Sequence, residues 1–534
     1  MATVRAPLAL LLLSLAAIAA VWWWLAMPVT LPHVPIDPNA RLQCISYAPF
    51  RIRQTQLSPT TRVSREQISE DLGQLARISD CIRTYATDQG LDQIAEVAAE
   101  VGLKVIQGIA LDKDRRKNLT QISTAIRLAN QFLQTIAALV VGSEVLLRAD
   151  MAADELAATI RAVKAKVAVP VTYADSWDLW LRNRELGEAV DFVTIHVLPY
   201  WDDVPVRAEL AAAHVDAIRR QVVAAFPGKE VLIGETGWPS EGRMREAALP
   251  SRVNQARVVS DILALARREN FRVNLFEAFD ERWKQRIEGT VGGHWGLFGS
   301  WARTLKYPPG LPISNFPLWK LQMGSGMALA ILVFGTAWLT ARRKARQPRP
   351  VSWLAVGISA TTAGILLGVA AQKMFYESYG AVGWLLSGAL LLSASASPLF
   401  AANALMSARA PATSVELFDP GDYRASSLLA NMHGVVLLVT VVIGTETALG
   451  LVFDPRNKDF PFAALTMAAV PFAAMALLNR AGKGGRPMAE ALFAGTFLFA
   501  AVYIAFHEGA ANWQALWTCA AYLLLALTLW RARA

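Results

Sequence analysis

Cysteine is scarce in this chain: 534 residues hold only Cys44, Cys81 and Cys519. No Cys-x-x-Cys pair or Cys/His spacing suits zinc or an iron–sulfur cluster, so no metal and no cofactor is expected. Cys44 and Cys81 fall on neighbouring expected strands. They can pair in an oxidising compartment, but adjacent-strand geometry is poor for a disulfide, and two buried thiols fit equally well. Cys519 lies in an apolar run and reads as a small apolar residue. Phosphate-binding signatures are missing too: there is no P-loop and no Rossmann glycine fingerprint. A G-x-S-x-G elbow is also absent, which argues against an α/β-hydrolase nucleophile. Charge is sparse at 18%, against 54% hydrophobic residues, a balance that points to a membrane protein. Of the formal +9, residues 319–534 carry +7, from 16 Lys or Arg against 9 Asp or Glu. That excess sits in short loops between apolar runs, so it reads as membrane topology and excludes a nucleic-acid partner.

Long hydrophobic runs supply what the charge count suggests. Leu8–Met27 follows a lone Arg5 and ends near Trp22-Trp23-Trp24. Ala17-Ile18-Ala19 loosely resembles a signal-peptide cleavage site, but the run continues to about 20 residues, enough for an uncleaved anchor. Seven further runs cover 323–340, 353–372, 381–405, 427–452, 461–478, 489–506 and 513–530, making eight spans. The basic loop of Arg342, Arg343, Lys344, Arg346 and Arg349 marks the cytoplasmic side. Arg409 to Arg424, Arg480 to Arg486, and Arg531 with Arg533 fall on that side if every run crosses. Residues 28–322 then lie outside, in a periplasm if the cell has one. Lys373, Glu446 and Glu490 lie near span ends and can snorkel. His433 and Asn431 are expected to make a polar helix–helix contact.

The domain plan is an anchor over 1–27, a proline-punctuated linker over 28–40, an outer domain over 41–318 and a membrane domain over 319–534. In the outer domain, buried strands alternate with amphipathic helices. The strands are Leu42–Ala48, Cys81–Ala86, Leu103–Ala110, Leu139–Glu144, Val169–Tyr173, Phe192–Val197, Val231–Glu235 and Val273–Phe279. Helical patterns include Glu66–Ile78, Asp92–Val101, Leu119–Leu133, Asp154–Lys166 and Ala208–Ala225. Eight such units close into a parallel (β/α)8 barrel of the α/β class. An open doubly wound sheet would carry a glycine-rich turn after its first strand, where this chain has Ser46-Tyr47-Ala48-Pro49-Phe50. Barrel chemistry sits at the C-terminal ends of strands. Those ends carry Tyr47, Arg83, Tyr85, Ser143, Glu144, Tyr173, His196, Tyr200, Glu235 and Trp238, with Glu281 and Lys284 after the last strand. Aromatics mixed with hydrogen-bonding groups suit a sugar, which offers apolar faces and polar edges. Two carboxylates delivered by two buried strands, Glu144 and Glu235, are what glycosidic bond cleavage requires.

At these residues the chain resembles the family-17 glycoside hydrolases, from about Leu42 to Phe298. Ser46-Tyr47-Ala48-Pro49 and Ile82-Arg83-Thr84-Tyr85 resemble the first two strand segments. Val141-Gly142-Ser143-Glu144-Val145 is similar to the acid/base motif, and Gly234-Glu235-Thr236-Gly237-Trp238-Pro239-Ser240 to the nucleophile motif. Phe276 to Lys284 with Trp295-Gly296-Leu297-Phe298 resembles the closing segment. The resemblance implies Glu235 as nucleophile, Glu144 as general acid/base and a retaining mechanism on β-glucan. It also implies sugar-binding roles for Tyr47, Arg83, Tyr85, Ser143, Tyr173, His196, Tyr200, Trp238, Glu281 and Lys284. An apolar surround is expected to keep Glu144 protonated, and Arg83, Tyr47 or His196 to supply donors to Glu235. One departure stands out, since the family usually has asparagine where this chain has Ser143. The fused membrane half looks like that of bacterial family members engaged in making periplasmic or surface β-glucans. No Q-x-x-R-W occurs, and the lone D-x-D, Asp112-Lys113-Asp114, follows the third strand, so direct use of a nucleotide sugar is not expected. The expected partners are a β-glucan, the lipid bilayer and a glucan synthase or export component. The expected activity is hydrolysis or transglycosylation, with a weakly catalytic glucan-guiding module as the alternative.

Overall fold

The computed structural model describes residues 2–33, 41–307, 310–343, 348–407, 411–418, 428–478 and 487–532. Pro35, Pro38, Lys344, Arg346, Arg409, Arg424, Arg480, Arg486 and Arg533 lie outside the described residues. The chain divides into two compact units. One comprises Val29–Glu241 and Ala247–Ile313, the other Met1–Pro28, Gly242–Glu246 and Ser314–Ala534.

The first unit is a closed barrel of eight parallel strands in sequence order. They are β1 (Cys44–Ser46), β2 (Cys81–Arg83), β3 (Lys104–Ile109), β4 (Ile136–Ser143), β5 (Val171–Ser176), β6 (Val193–His196), β7 (Val231–Thr236) and β8 (Arg272–Leu275). All eight expected strands form, and so do the expected helices, at Arg65–Leu75, Ile94–Val101, Arg115–Gln131, Ala153–Lys164 and Ala211–Ala225. Each strand is buried on both faces, which is why it reads as an apolar run without clear alternation. One face of each strand packs against the helices: Ile45, Ile82, Val105, Leu139, Val193 and Ile233 join a large core with Ile68, Leu72 and Ile262. The alternate positions form a separate buried cluster of Cys44, Cys81, Ile106, Ala138, Val140, Ala174, Phe192 and Leu232. By the two-residue period of strands, these side chains fill the barrel's interior. Cys44 and Cys81 are joined there in a disulfide, with Cα atoms 4.3 Å apart, which resolves the open pairing.

Local chemistry sets the helix starts. Ser64 and Ser251 accept hydrogen bonds from Gln67 N and Asn254 N, capping the helices that follow. Asp114, the second acid of the D-x-D, caps the helix Arg115–Gln131 by accepting from Arg116 N and Lys117 N. Asp112 pairs with Lys117 at 3.2 Å, so the motif serves a helix terminus.

The second unit is helical. Among the described residues, seven helices are long and apolar enough to cross a membrane: Arg5–Leu25, Trp319–Arg342, Pro350–Glu377, Gly380–Ser407, Leu428–Phe453, Met488–Glu508 and Trp513–Trp530. The eighth expected run forms a 17-residue helix, Phe462–Leu478. At 1.5 Å per residue it rises about 25 Å, short of a ~30 Å hydrocarbon core. Small residues let helices approach closely: a Cβ on Gly326 would fall 1.9 Å from Gly364 O. The expectation of a polar contact at His433 is corrected. Its ring stacks between Phe400 and Phe472, at 5.7 and 5.1 Å. Neither His433 Nε2 nor Asn431 Oδ1 finds a hydrogen-bond partner among the described residues. Lys373 and Glu446 are paired locally, with Glu377 and Lys458, and Glu490 accepts from Ser414 N at 2.7 Å.

Candidate active site

Strand register brings the site together. Ser46 pairs with Arg83 across β1 and β2, and His196 pairs with Glu235 across β6 and β7. Arg83 is fully buried with its guanidinium among these strand ends. Its Nη1 donates to Gly234 O at 2.7 Å and to Glu235 Oε1 at 3.0 Å. Its Nη2 donates to Ser143 Oγ at 3.2 Å and lies 3.2 Å from His196 Nε2. Tyr85 Oη lies 2.8 Å from Glu235 Oε1 and 2.8 Å from Ser46 Oγ. A phenol has one proton and a carboxylate only accepts, so Tyr85 donates to Glu235 and the Ser46 hydroxyl donates to Tyr85. Asn274 on β8 completes the chain by donating to Ser46 Oγ at 2.8 Å and to Gly234 O at 2.6 Å. Glu235 is thus a buried carboxylate oriented by a cation and a phenol.

Glu144 is presented differently. Gly142 and Glu144 both take positive φ, +86° and +56°, so β4 ends in a left-handed turn that glycine accepts readily and glutamate does not. Non-glycine strain of this kind persists only where the surroundings impose it. Here they do. Glu144 N donates to Ala174 O at 2.8 Å, and Arg148 donates from Nη1 to Ser143 O at 2.7 Å. Tyr173 Oη accepts from Leu146 N at 3.0 Å while donating to Asp175. The Glu144 side chain remains about one-third exposed, at 33%, against 7% for Glu235. Its Oε1 lies 2.9 Å from His196 Nδ1. Burial pushes the Glu144 pKa up, but the hydrogen bond and electrostatic pull of His196, followed by the charges of Arg148 and Arg83, outweigh it, leaving the carboxyl below its ordinary range. Against the expectation of a protonated Glu144, these groups favour its ionised form.

Arg83, Tyr85, Ser143, Glu144, His196 and Glu235 therefore converge. The other expected residues lie around them. Tyr47, expected as a donor to Glu235, is fully buried and donates to Asp71 Oδ2 at 3.1 Å, beside Arg303; Tyr85 takes that role. Tyr173 grips the turn after β4. Tyr200 and Trp238 are buried edge-to-face partners, 6.1 Å apart, and both belong to a cluster with Trp295. Glu281 accepts from Trp283 Nε1 at 2.7 Å, and Lys284 pairs with Glu277 at 2.6 Å. Burial pushes Glu277 up to about 7 although Lys284 pulls it down, and burial followed by the Glu277 charge raises Glu281. Burial alone would lower the Lys284 pKa, but Glu277 and its acidic neighbours more than reverse this. Sequence reading missed Ser46, Asn274, Asp175, Arg148 and Glu277. β8 ends at Leu275, four residues before the expected Phe279, so Asn274 lies at the end of the strand and Glu277 just beyond it. Asn274, a polar side chain between Val273 and Leu275, was the available signal.

Glu144, His196 and Glu235 each offer one ligand-type atom within 4.8 Å of the others. The residues do not fit a cation there. Arg83 already places a fixed positive charge 3.0 Å from Glu235 Oε1 and 3.2 Å from the His196 ring, where it offsets the Glu235 carboxylate and would repel a cation. What the arrangement does suit is acid/base and nucleophilic work by two carboxylates with oxygens no more than 4.8 Å apart.

A (β/α)8 barrel with paired strand-end carboxylates on strands four and seven is the architecture of a glycoside hydrolase. Comparison with known proteins makes the class definite: the chain belongs to the BtgE/BtgC glycoside hydrolase family, whose domain matches residues 44–296. A glucan 1,3-beta-glucosidase of Candida albicans is 30% identical over 260 residues, covering 44% of this chain and 84% of that one. The Saccharomyces cerevisiae protein of the same name is 28% identical over 266 residues, covering 46% and 85%. Among solved structures, a family-17 β-1,3-glucanosyltransferase from Rhizomucor miehei is 27% identical. It covers 51% of this chain and 98% of its own, with a TM-score of 0.45.

Proposed function

We propose that this protein is a membrane-anchored enzyme that cleaves and re-forms β-1,3-glucan by a retaining double displacement, with its barrel outside the cytoplasm. One observation carries the mechanism: a Glu144 oxygen and a Glu235 oxygen lie within 4.8 Å of each other. Retaining enzymes need carboxyls about 5–5.5 Å apart, whereas inverting ones leave ~6.5–9.5 Å for a water. Arg83 and Tyr85 both occupy Glu235 Oε1, which favours Oε2 as the attacking atom. Glu144 protonates the leaving oxygen as the sugar–oxygen bond breaks and Glu235 bonds to the anomeric carbon. Glu144 then takes the proton of the incoming hydroxyl, whose oxygen bonds to the anomeric carbon as the bond to Glu235 breaks and frees its carboxylate; that hydroxyl belongs to water in hydrolysis and to a second glucan in transfer. Half-exposed Tyr85, Ser143 and Trp201 are the groups a sugar would meet first. The β-glucan substrate is supported by the activities named for the relatives. The location is supported by the seven long apolar helices, the basic loops and the Cys44–Cys81 disulfide. A glucan synthase or exporter is the partner that such a location would serve.

Ser143 favours a second reading, a slow enzyme that mainly guides polymer, because its hydroxyl is already engaged by Arg83. Full-length protein incubated with laminari-oligosaccharides separates the readings. Shortened or lengthened products that disappear in Glu235→Gln support the enzyme, and binding with no product in either form supports the guide. Full activity in Glu235→Gln overturns the site.

A further inference from the structure

His196 touches both carboxylates, yet the two-carboxylate chemistry assigns it no part. It lies at the end of β6, 4% exposed, with Nδ1 2.9 Å from Glu144 Oε1. Its Nε2 lies 3.2 Å from Arg83 Nη2 and 3.5 Å from Glu235 Oε1. Arginine has donors and no acceptor. The nitrogen that faces Arg83 must therefore accept, so the ring's proton resides on Nδ1 and is donated to Glu144. The same guanidinium that orients the nucleophile thus fixes the histidine tautomer and, through it, the hydrogen bond on the acid/base.

We infer that His196 is a positioning residue that couples the two glutamates: held by Arg83 in the Nδ1–H form, it donates to Glu144 and sets the pH range over which Glu144 can act as an acid. The inference rests on the retaining reading above. In the first half-reaction Glu144 must carry a proton, which it delivers to the leaving oxygen. The His196 Nδ1–H bond then stabilises the carboxylate that remains, and that carboxylate accepts the proton of the incoming hydroxyl in the second half. His196 itself neither gains nor loses a proton over the cycle. The charged and titratable groups facing this pair are Arg83 and Tyr85 from the end of β2, Arg148 from the turn after β4, Asp175 on β5 and Glu235 on β7. Arg83 and Arg148 favour the Glu144 carboxylate alongside His196, whereas Asp175 opposes it. The lowered Glu144 pKa agrees with the net of these.

The sign follows directly. Glycosylation needs protonated Glu144, so kcat/KM falls as pH rises through the Glu144 titration. Removing a donor to the carboxylate moves that basic limb to higher pH, by about one to two units for a hydrogen bond to a charged group. In full-length protein assayed on laminari-oligosaccharides, His196→Ala and His196→Gln are expected to move the limb upward. His196→Asn, whose amide N–H stands where Nδ1–H stood, is expected to keep it near the native pH. An unmoved limb in His196→Ala, or an upward shift of equal size in His196→Asn, overturns the inference. A second readout does not depend on activity. In 15N-histidine-labelled protein, the resonances lost in His196→Asn should be those of a protonated Nδ1 and a bare Nε2. A protonated Nε2 overturns the tautomer argument whether or not the wild type acts on glucan. Absence of any glucan activity, with the Nδ1–H signature intact, overturns the substrate reading and leaves the Arg83–His196–Glu144 coupling supported.

Discussion

At the residue scale, the site is organised by groups that accept or donate in one sense only. Arg83 cannot accept and the Glu235 carboxylate cannot donate, so the proton positions of Tyr85, Ser46 and His196 follow from heavy-atom geometry. Glu144 is the more loosely held glutamate, one-third exposed and on a left-handed turn, which fits the proposed role of exchanging protons with an incoming molecule. Ser143 is the residue at which the sequence reading expects a family member to carry asparagine. Its hydroxyl faces Arg83 instead of reaching toward a sugar. An asparagine there would offer an amide long enough to meet a sugar hydroxyl whose bond strengthens in the transition state, worth several kcal/mol at best. Ser143→Asn is expected to raise kcat on laminari-oligosaccharides roughly ten- to a hundredfold; unchanged or lower turnover would dismiss the residue as the limiting feature. The two glutamates were legible because each closes an apolar strand. The protonation of Glu144 was not, because it depends on His196 and Arg148, which meet it only through the fold.

Among the elements, β7 carries Glu235 and leaves room beside it for Arg83 of β2. Gly234 faces into the barrel, and a Cβ there would fall 2.4 Å from Thr194 Cγ2 and 3.4 Å from both Arg83 Nη1 and His196 Cδ2. The missing side chain makes the room that Arg83 occupies. Gly234→Ala is therefore expected to destabilise the barrel by about 1–3 kcal/mol through overpacking. It should also lower activity more than its thermal shift explains, by displacing Arg83. Thr194→Ser, which removes the clashing methyl, should recover part of both in the double variant; measured melting and kcat/KM with no recovery would place the strain elsewhere. Strand existence was legible throughout, since buried parallel strands are continuous apolar runs. The end of β8 was not, because the apolar pattern runs on past Leu275 while the ladder stops there. That displaced attention from Asn274 and Glu277 to Glu281 and Lys284. Tyr200, Trp238 and Tyr173 looked like a sugar lining for a related reason: strand-end aromatics serve equally as support for the loops, and sequence position does not separate the two uses.

For the whole molecule, the account joins a barrel with its chemistry at the strand ends to a helical unit that can cross a bilayer. The proposal of a barrel outside the cytoplasm rests on the Cys44–Cys81 disulfide and on the basic loops read from the sequence. A thiol introduced at exposed Leu119 should react with a membrane-impermeant maleimide in intact cells, while one introduced at Arg343 should react only after permeabilisation. The reverse pattern would contradict the proposed orientation. The long apolar helices were legible because length and apolarity alone mark them. The stacking of His433 between two phenylalanines was not, since it depends on three helices meeting.

The central claim, that Glu235 forms a covalent bond to the sugar, has a direct measurement. Full-length protein is treated with a 2-deoxy-2-fluoro β-1,3-glucosyl fluoride, which accumulates the glycosyl-enzyme by slowing its breakdown, and is then digested for peptide mass mapping. The account predicts one glycosyl adduct on the peptide containing Glu235, absent in Glu235→Gln. An adduct on Glu144 or another residue, or inactivation with no covalent adduct, would contradict it.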